Sequence, residues 1–157
     1  MCTLFIDSIN CNFTSLRQCR HGTILSARAY QPLTLRQVAA AIREEQASPD
    51  GDPWLWVRQF MDDFYAAKPE VRATLIAERP DLTGDSRFDA YLAALAEHFA
   101  IHYQLPIPRW VNEPERFLEQ WWFPTQFKSL HALAIVESPA AFRRRGIFVD
   151  KTEFQRC

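Results

Sequence analysis

The amino-acid sequence predicts one mostly helical domain of the all-α class, an irregular bundle of five to seven helices. Its 157 residues are the usual length of a single domain, and 48% of them are hydrophobic, which favours a globular chain over a disordered one. After Leu33, hydrophobic residues recur at the three- and four-residue spacing of amphipathic helices. Only residues 146–150 have the β-branched and aromatic composition of a strand, so we predict one short C-terminal strand and no sheet.

The first 32 residues differ from the rest because they show no sustained periodicity. We predict that residues 1–32 form a weakly ordered leader or extension and that the helical domain spans residues 33–157. Residues 8–30 contain three arginines and no acid, which is loosely typical of a transit peptide but fits a poorly ordered leader as well. The cysteines form no Cys-x-x-Cys pair, and we predict reduced thiols at Cys2, Cys11, Cys19 and Cys157.

Capping residues and prolines place the first two helices. Thr34 precedes an apolar stripe and caps a helix that runs to about Gln46. Asp52 and Pro53 suit the N-cap and the first position of a second helix, to about Ala67, because proline there lacks only an amide that would be unpaired anyway. Aromatic residues at helical spacing place this second helix in the core.

The later elements follow from similar signals. Pro69 starts a shorter helix to about Glu78, and Asp85 or Ser86 caps a long helix to about Tyr103. We predict short helices at 114–120 and 124–137, one further helical turn capped by Ser138 and Pro139, the strand at 146–150 and a last turn capped by Asp150 with Glu153. The side chains predicted to form the core are Trp54, Phe64, Tyr91, Leu95 and Phe99.

Charge and motifs exclude several classes of function. A formal net charge of −1 gives no overall electrostatic attraction to nucleic acid or to an anionic membrane. No stretch approaches the roughly 18 apolar residues of a membrane span. The chain has no Gly-x-Ser-x-Gly motif, and four glycines are too few for a glycine-rich phosphate loop. We predict a cytoplasmic protein with no cofactor and no membrane partner, and the oligomeric state stays open.

Two groups of polar residues suggest chemistry without specifying it. His98 and His102 have the four-residue spacing that places two imidazoles on one helix face, so a metal site is the alternative hypothesis. Its third ligand would be Glu97, His131 or Asp63, although packing beside the apolar stripe explains both histidines as well. Asp62 and Asp63 are adjacent on a helix and point about 100° apart, so we predict a solvated face rather than a carboxylate pair.

The C-terminal half combines aromatic and basic residues. Trp121, Trp122 and Phe123 are consecutive at a helix boundary and cannot all face one core, so we expect one or more in a groove or at an interface. Arg143, Arg144 and Arg145 precede Gly146, where a helix dipole and a glycine cap account for one arginine more easily than for three. We predict a partner-binding surface formed by Trp121, Trp122, Arg143, Arg144 and Arg145.

Several of these segments are similar to segments of known proteins. Asp52-Pro53-Trp54, Trp122-Phe123-Pro124 and the run from Ser138 to Val149 resemble a group of small uncharacterised bacterial proteins, over about residues 34–156. Some members of that group carry a DNA-binding module or lie near toxin–antitoxin genes. The resemblance implies a bacterial cytoplasmic protein whose domain begins near residue 33, and it supplies no activity or catalytic residues.

The residues and the resemblance together lead to one functional hypothesis and one alternative. We expect a non-enzymatic binding or regulatory protein, of antitoxin-like type, whose partner is a protein, with nucleic acid as the other candidate. The alternative is a metal-dependent enzyme or metal-binding protein built on Glu97, His98 and His102.

Overall fold

A computed structural model of the chain describes residues 30–154. Within that range lie six α-helices: α1 (Leu35–Gln46), α2 (Pro53–Ala66), α3 (Pro69–Ala77), α4 (Ser86–His102), α5 (His131–Glu137) and α6 (Ala140–Arg143). Single 3-10 turns occupy Arg109–Asn112, Pro114–Arg116, Lys128–Leu130 and Lys151–Phe154. The predicted all-α class is confirmed. The prediction for residues 1–29 of the leader and the predictions for the four cysteines lie outside the described residues.

The first, second and fourth helices begin where the sequence predicts because a side chain satisfies the free amides at each N-terminus. Thr34 forms a capping box with Gln37 at the start of α1. Asp52 accepts a 3.0 Å hydrogen bond from the Trp54 amide at α2. Asp85 accepts a 2.9 Å hydrogen bond from the Arg87 amide at α4.

Helix α4 is the centre of the fold. Every residue from Phe88 to Glu97 is buried, and α1, α6 and two of the 3-10 turns pack against the helix. A helix that is enclosed on all sides has to be apolar all round, and the alanines of α4 also let its neighbours approach closely. The two acids buried on α4, Asp89 and Glu97, each lie beside a buried arginine.

Aromatic rings fill the space around α4. Phe64 of α2 stacks on Phe99 of α4 with ring centroids 4.2 Å apart. Trp54 meets Tyr91 edge to face at 5.0 Å. The predicted core is confirmed, since Phe64, Tyr91, Leu95 and Phe99 are buried and Trp54 is partly buried against them.

The region between α4 and α5 is less helical than predicted. The helix expected at 114–120 is a single 3-10 turn, after which the chain extends and the Leu118 amide bonds to the Arg145 carbonyl at 3.3 Å. The helix expected from Pro124 begins only at His131. There the Thr125 hydroxyl accepts from the Phe127 amide and the Thr125 carbonyl lies 3.3 Å from His131 Nε2, which holds a local turn instead of a helix.

The prediction of a strand at 146–150 is wrong. Ile147 forms one isolated parallel bridge with Trp122, held by the hydrogen bonds from Trp122 N to Gly146 O at 2.8 Å and from Phe148 N to Trp122 O at 3.0 Å. The next bond of a parallel ladder would need an amide at Pro124, which has none. The pairing therefore stops after one residue.

The length and composition of the helices decide whether any of them could span a membrane. Among residues 30–154, no helix combines the length and the apolar composition needed to cross a bilayer.

Candidate functional site

Trp121 and Trp122 are adjacent in sequence but lie in different environments. Trp121 is 69% exposed, and its ring meets the buried ring of Phe148 at 5.0 Å. Trp122 is partly buried and stacks on Trp54 at 6.1 Å. The expectation that the consecutive aromatic side chains cannot all face one core is confirmed, because Trp121 is left at the surface.

The three consecutive arginines do not form one surface. Arg143 is exposed, and the Arg144 side chain is 44% exposed while it pairs with Glu97 at 2.5 Å. Arg145 is fully buried. The predicted surface therefore loses Arg145, because this side chain turns inward to reach a carboxylate on α4.

The contacts of Arg145 explain how a charged side chain lies in the interior. Its guanidinium pairs with Glu97 and donates to the carbonyl oxygens of Ala141 at 2.7 Å and Val111 at 2.6 Å. Burial lowers the pKa of Arg145, and the hydrogen bond and the charge of Glu97 oppose that change. One carboxylate on the central helix thus fixes two arginines of the C-terminal segment, and the ring of Phe117 lies 5.3 Å from the Arg144 guanidinium and 5.0 Å from that of Arg145.

The residues of the metal hypothesis are not brought together. Both oxygens of Glu97 are held by Arg144 and Arg145. His98 and His102 instead stack with centroids 5.9 Å apart, and Phe154 covers His98 at 4.8 Å. In the described part of the chain, no three His, Cys, Asp or Glu side chains are grouped so as to hold a metal ion.

The other candidate ligands for that site have structural contacts of their own. His131 stacks on Phe123 at 4.0 Å. Asp63 is only 4% exposed and accepts hydrogen bonds of 2.8 Å from the Leu33 amide and from Gln59. The solvated face predicted for the acid pair is therefore wrong for Asp63, which fixes the chain just before α1.

An exposed apolar segment follows Trp121, and the sequence reasoning did not identify it. Helix α5 buries only Ala134. Large apolar side chains of the same segment are at the surface, namely Phe127 (70% exposed), Leu130 (41%), Leu133 (44%), Ile135 (39%) and Val136 (74%). The sequence signal is a large apolar residue at every third position from Phe127 to Val136, within the segment predicted as a helix at 124–137.

Aromatic stacking connects this segment to Trp121. Phe148 contacts both Trp121 and Phe123, with centroid distances of 5.0 Å and 5.1 Å, and Phe123 stacks on His131 at the start of α5. We call Trp121 together with the exposed side chains of residues 127–136 the apolar face. The rings of Phe148 and Phe123 link Trp121 to the start of α5.

The fold and the site define a small all-α protein that has an internal glutamate–arginine network and an exposed apolar face. No family model, curated protein or solved structure matches the chain.

Proposed function

We propose that this chain is a non-enzymatic binding protein of regulatory type, and that a protein partner covers its apolar face. The observation that carries the proposal is the exposure of Trp121, Phe127 and Val136, each 69% or more, within one short segment. Single exposed apolar residues are common, whereas several large ones together are typical of protein interaction sites. Tryptophan is also enriched among the residues that dominate binding energy.

The weak attachment of α5 supports the same proposal. Seven residues are too few for a helix to be stable by itself, and α5 buries only Ala134 against the rest of the protein. A partner that covers Leu133 and Val136 would supply the tertiary packing that α5 otherwise lacks. Binding would then both bury apolar area and stabilise the helix.

The arginines favour a protein over nucleic acid as the partner. Arg144 and Arg145 are engaged with Glu97, so of the three only the exposed Arg143 is not paired with that carboxylate. Nucleic-acid affinity depends on several phosphate contacts from cationic side chains. The antitoxin-like role and the cytoplasmic location belong to the proposal through the resemblance described above.

Site-specific crosslinking tests the proposal. A photoreactive phenylalanine derivative is placed at Val136, and a matched one is placed at Ile101, which is 56% exposed on α4 and lies outside the apolar face. We expect a discrete crosslinked product in the native cell at position 136 and none at 101. Equal crosslinking at the two positions would contradict the proposal.

Titration of the purified protein with its purified partner then measures how much each side chain contributes to the binding affinity. Phe127→Glu and Val136→Glu are expected to weaken binding of the crosslinked protein at least tenfold by calorimetry, with Ile101→Glu as the control. Both face side chains are already exposed, so the substitutions leave the folded core intact. Unchanged affinity in both face variants would overturn the proposal.

A further inference from the structure

A cleft lies beside the apolar face, between the start of α4 and the extended chain that follows the Pro114–Arg116 turn. Its volume is about 920 Å³, and residues from both sides line it, including Arg87, Glu115, Phe117, Glu119, Trp121 and Trp122. Binding clefts for small ligands and for single side chains are commonly of this size or smaller.

At first sight the cleft resembles an anion site, because Arg87 and the N-terminus of α4 face it. The contacts of Asp85 argue against that interpretation. One Asp85 oxygen accepts from the Arg87 amide at 2.9 Å, and the other pairs with the Arg87 guanidinium at 2.8 Å. The positive end of the helix and the positive side chain are therefore already neutralised by one internal carboxylate.

The charges that remain are negative. Glu115 and Glu119 line the cleft and are exposed, and Asp89 lies in its wall beside the buried Arg116. Asp89 is balanced by the Arg116 guanidinium, 3.6 Å away, so the two exposed glutamates are the carboxylates that remain. With Arg87 neutralised by Asp85, the lining has a net charge of about −2 at neutral pH.

The aromatic wall is suited to a cation. The Arg87 guanidinium lies 5.8 Å from the centroid of the Trp122 ring, so the protein itself shows that this wall accepts a guanidinium group. Trp121 lines the same cleft with most of its surface exposed. Tryptophan rings bind cations most strongly among the aromatic side chains, and adjacent carboxylates add Coulomb attraction.

We infer that the cleft binds an arginine or lysine side chain from a basic segment of the protein partner. The cationic head lies near Glu115 and Glu119, and its alkyl stem packs on the exposed ring of Trp121, since Arg87 and Trp54 already contact the ring of Trp122. This assignment adds the chemistry of the partner segment, a basic side chain, to the proposed function. It rests on the proposed function in one respect, namely that the basic segment belongs to the protein partner.

Peptide titration tests the cleft without the natural partner. The probe is acetyl-Gly-Arg-Ala-Arg-Gly-amide, and its matched control carries citrulline, the neutral isostere of arginine, at both arginine positions. Binding is followed by the indole N–H resonances of Trp121 and Trp122. We expect the arginine peptide to bind at least tenfold more tightly than the citrulline peptide and to weaken as salt is raised.

We expect substitutions of acidic and of basic residues in the cleft to change the affinity for the arginine peptide in opposite directions. Glu115→Gln and Glu119→Gln each weaken the arginine peptide about threefold to fivefold, while Glu44→Gln on α1 is the control. Arg87→Gln strengthens binding about twofold to fivefold, because it removes the internal cation and frees Asp85. A substitution that merely disturbed the fold would weaken binding instead.

A third peptide carries glutamate at both arginine positions. Three outcomes would overturn the inference. They are no binding of the arginine peptide, equal binding of the citrulline peptide, or tighter binding of the glutamate peptide that is lost in the Arg87→Gln variant. The last outcome would identify an anion site. Because the apolar-face variants are measured with a different ligand, a failure of the cleft and a failure of the proposed function remain distinguishable.

Discussion

The Glu97 carboxylate on α4 and the Arg145 guanidinium form an ion pair in the interior, 48 residues apart in sequence. The side chain of Glu97 is 7% exposed and that of Arg145 is 0% exposed. The pair joins the central helix to the segment that carries Ile147, and through the bridge at Trp122 it also positions the start of the apolar face. Its loss is therefore expected to affect both stability and the proposed binding surface.

Glu97→Gln is expected to lower the free energy of unfolding by about 3–5 kcal/mol, because it leaves the Arg145 charge buried without its counter-ion. Urea unfolding followed by circular dichroism measures this change. Arg145→Met in the Glu97→Gln background is expected to recover part of the loss, since it removes the uncompensated charge.

Arg144→Gln is the matched control for this pair. It removes the other partner of the same carboxylate, but the Arg144 side chain is 44% exposed. Ion pairs that solvent reaches contribute about 0–1 kcal/mol, so we expect a small change. Unfolding of the Glu97 and Arg144 variants at the same urea concentration would show that the buried Glu97–Arg145 pair contributes no more to stability than the exposed Arg144 pair.

The elements that the sequence predicted well are those whose signals are local. Thr34, Asp52 and Asp85 cap helices through bonds to residues two or three positions ahead, so the sequence alone identifies those starts. The apolar spacing of α2 and α4 likewise identified the core residues, because helical periodicity determines which side chains share a face.

The elements that the sequence did not predict depend on partners that are distant along the chain. Nothing in Arg143–Arg145 indicates that the third arginine turns inward to a glutamate 48 residues earlier. The composition of residues 146–150 alone predicts a strand, whereas Pro124 in the paired segment limits the bridge to one residue. The exposure of α5 depends on how little of the protein packs against it.

Asp62 and Asp63 lie side by side on α2, one exposed and one buried. Substituting each in turn tests how burial of a carboxylate affects the free energy of unfolding. Asp63→Ala removes the acceptor of the Leu33 amide and of Gln59, so we expect a loss of about 1–3 kcal/mol in the free energy of unfolding. Asp62 is exposed, and Asp62→Ala is expected to change that free energy by about 0.5 kcal/mol or less. Equal effects would show that the Leu33 contact does not stabilise the fold.

Gly146 has a backbone conformation that other residues adopt at a cost. Its φ is +74°, and a Cβ atom there would lie 3.4 Å from the Gln120 carbonyl oxygen. Gly146→Ala is expected to cost about 1–2 kcal/mol, and Gly146→Asn less, because asparagine tolerates the left-handed region better. Because the Gly146 carbonyl accepts from the Trp122 amide, the near-ultraviolet dichroism of the tryptophans should change with the alanine variant.

His98 gives the fold a defined dependence on pH. Burial, with a smaller effect of the His102 charge, lowers the pKa of His98 from 6.5 to about 4. The folded state therefore favours the neutral ring, which Phe154 and Phe142 cover. The stability that this preference contributes is complete above pH 6.5 and is lost as pH falls from 6.5 towards about 4.

Comparison with His98→Gln isolates this effect from the carboxyl groups that titrate in the same range. Between pH 7 and pH 4 the wild type should lose about 1–2 kcal/mol relative to the variant, a value reduced for the part of the ring that solvent reaches. Urea midpoints at half-unit pH steps give the difference curve. His102→Gln should retain most of the pH dependence, because burial is the larger cause, and parallel curves for wild type and His98→Gln would contradict the assignment.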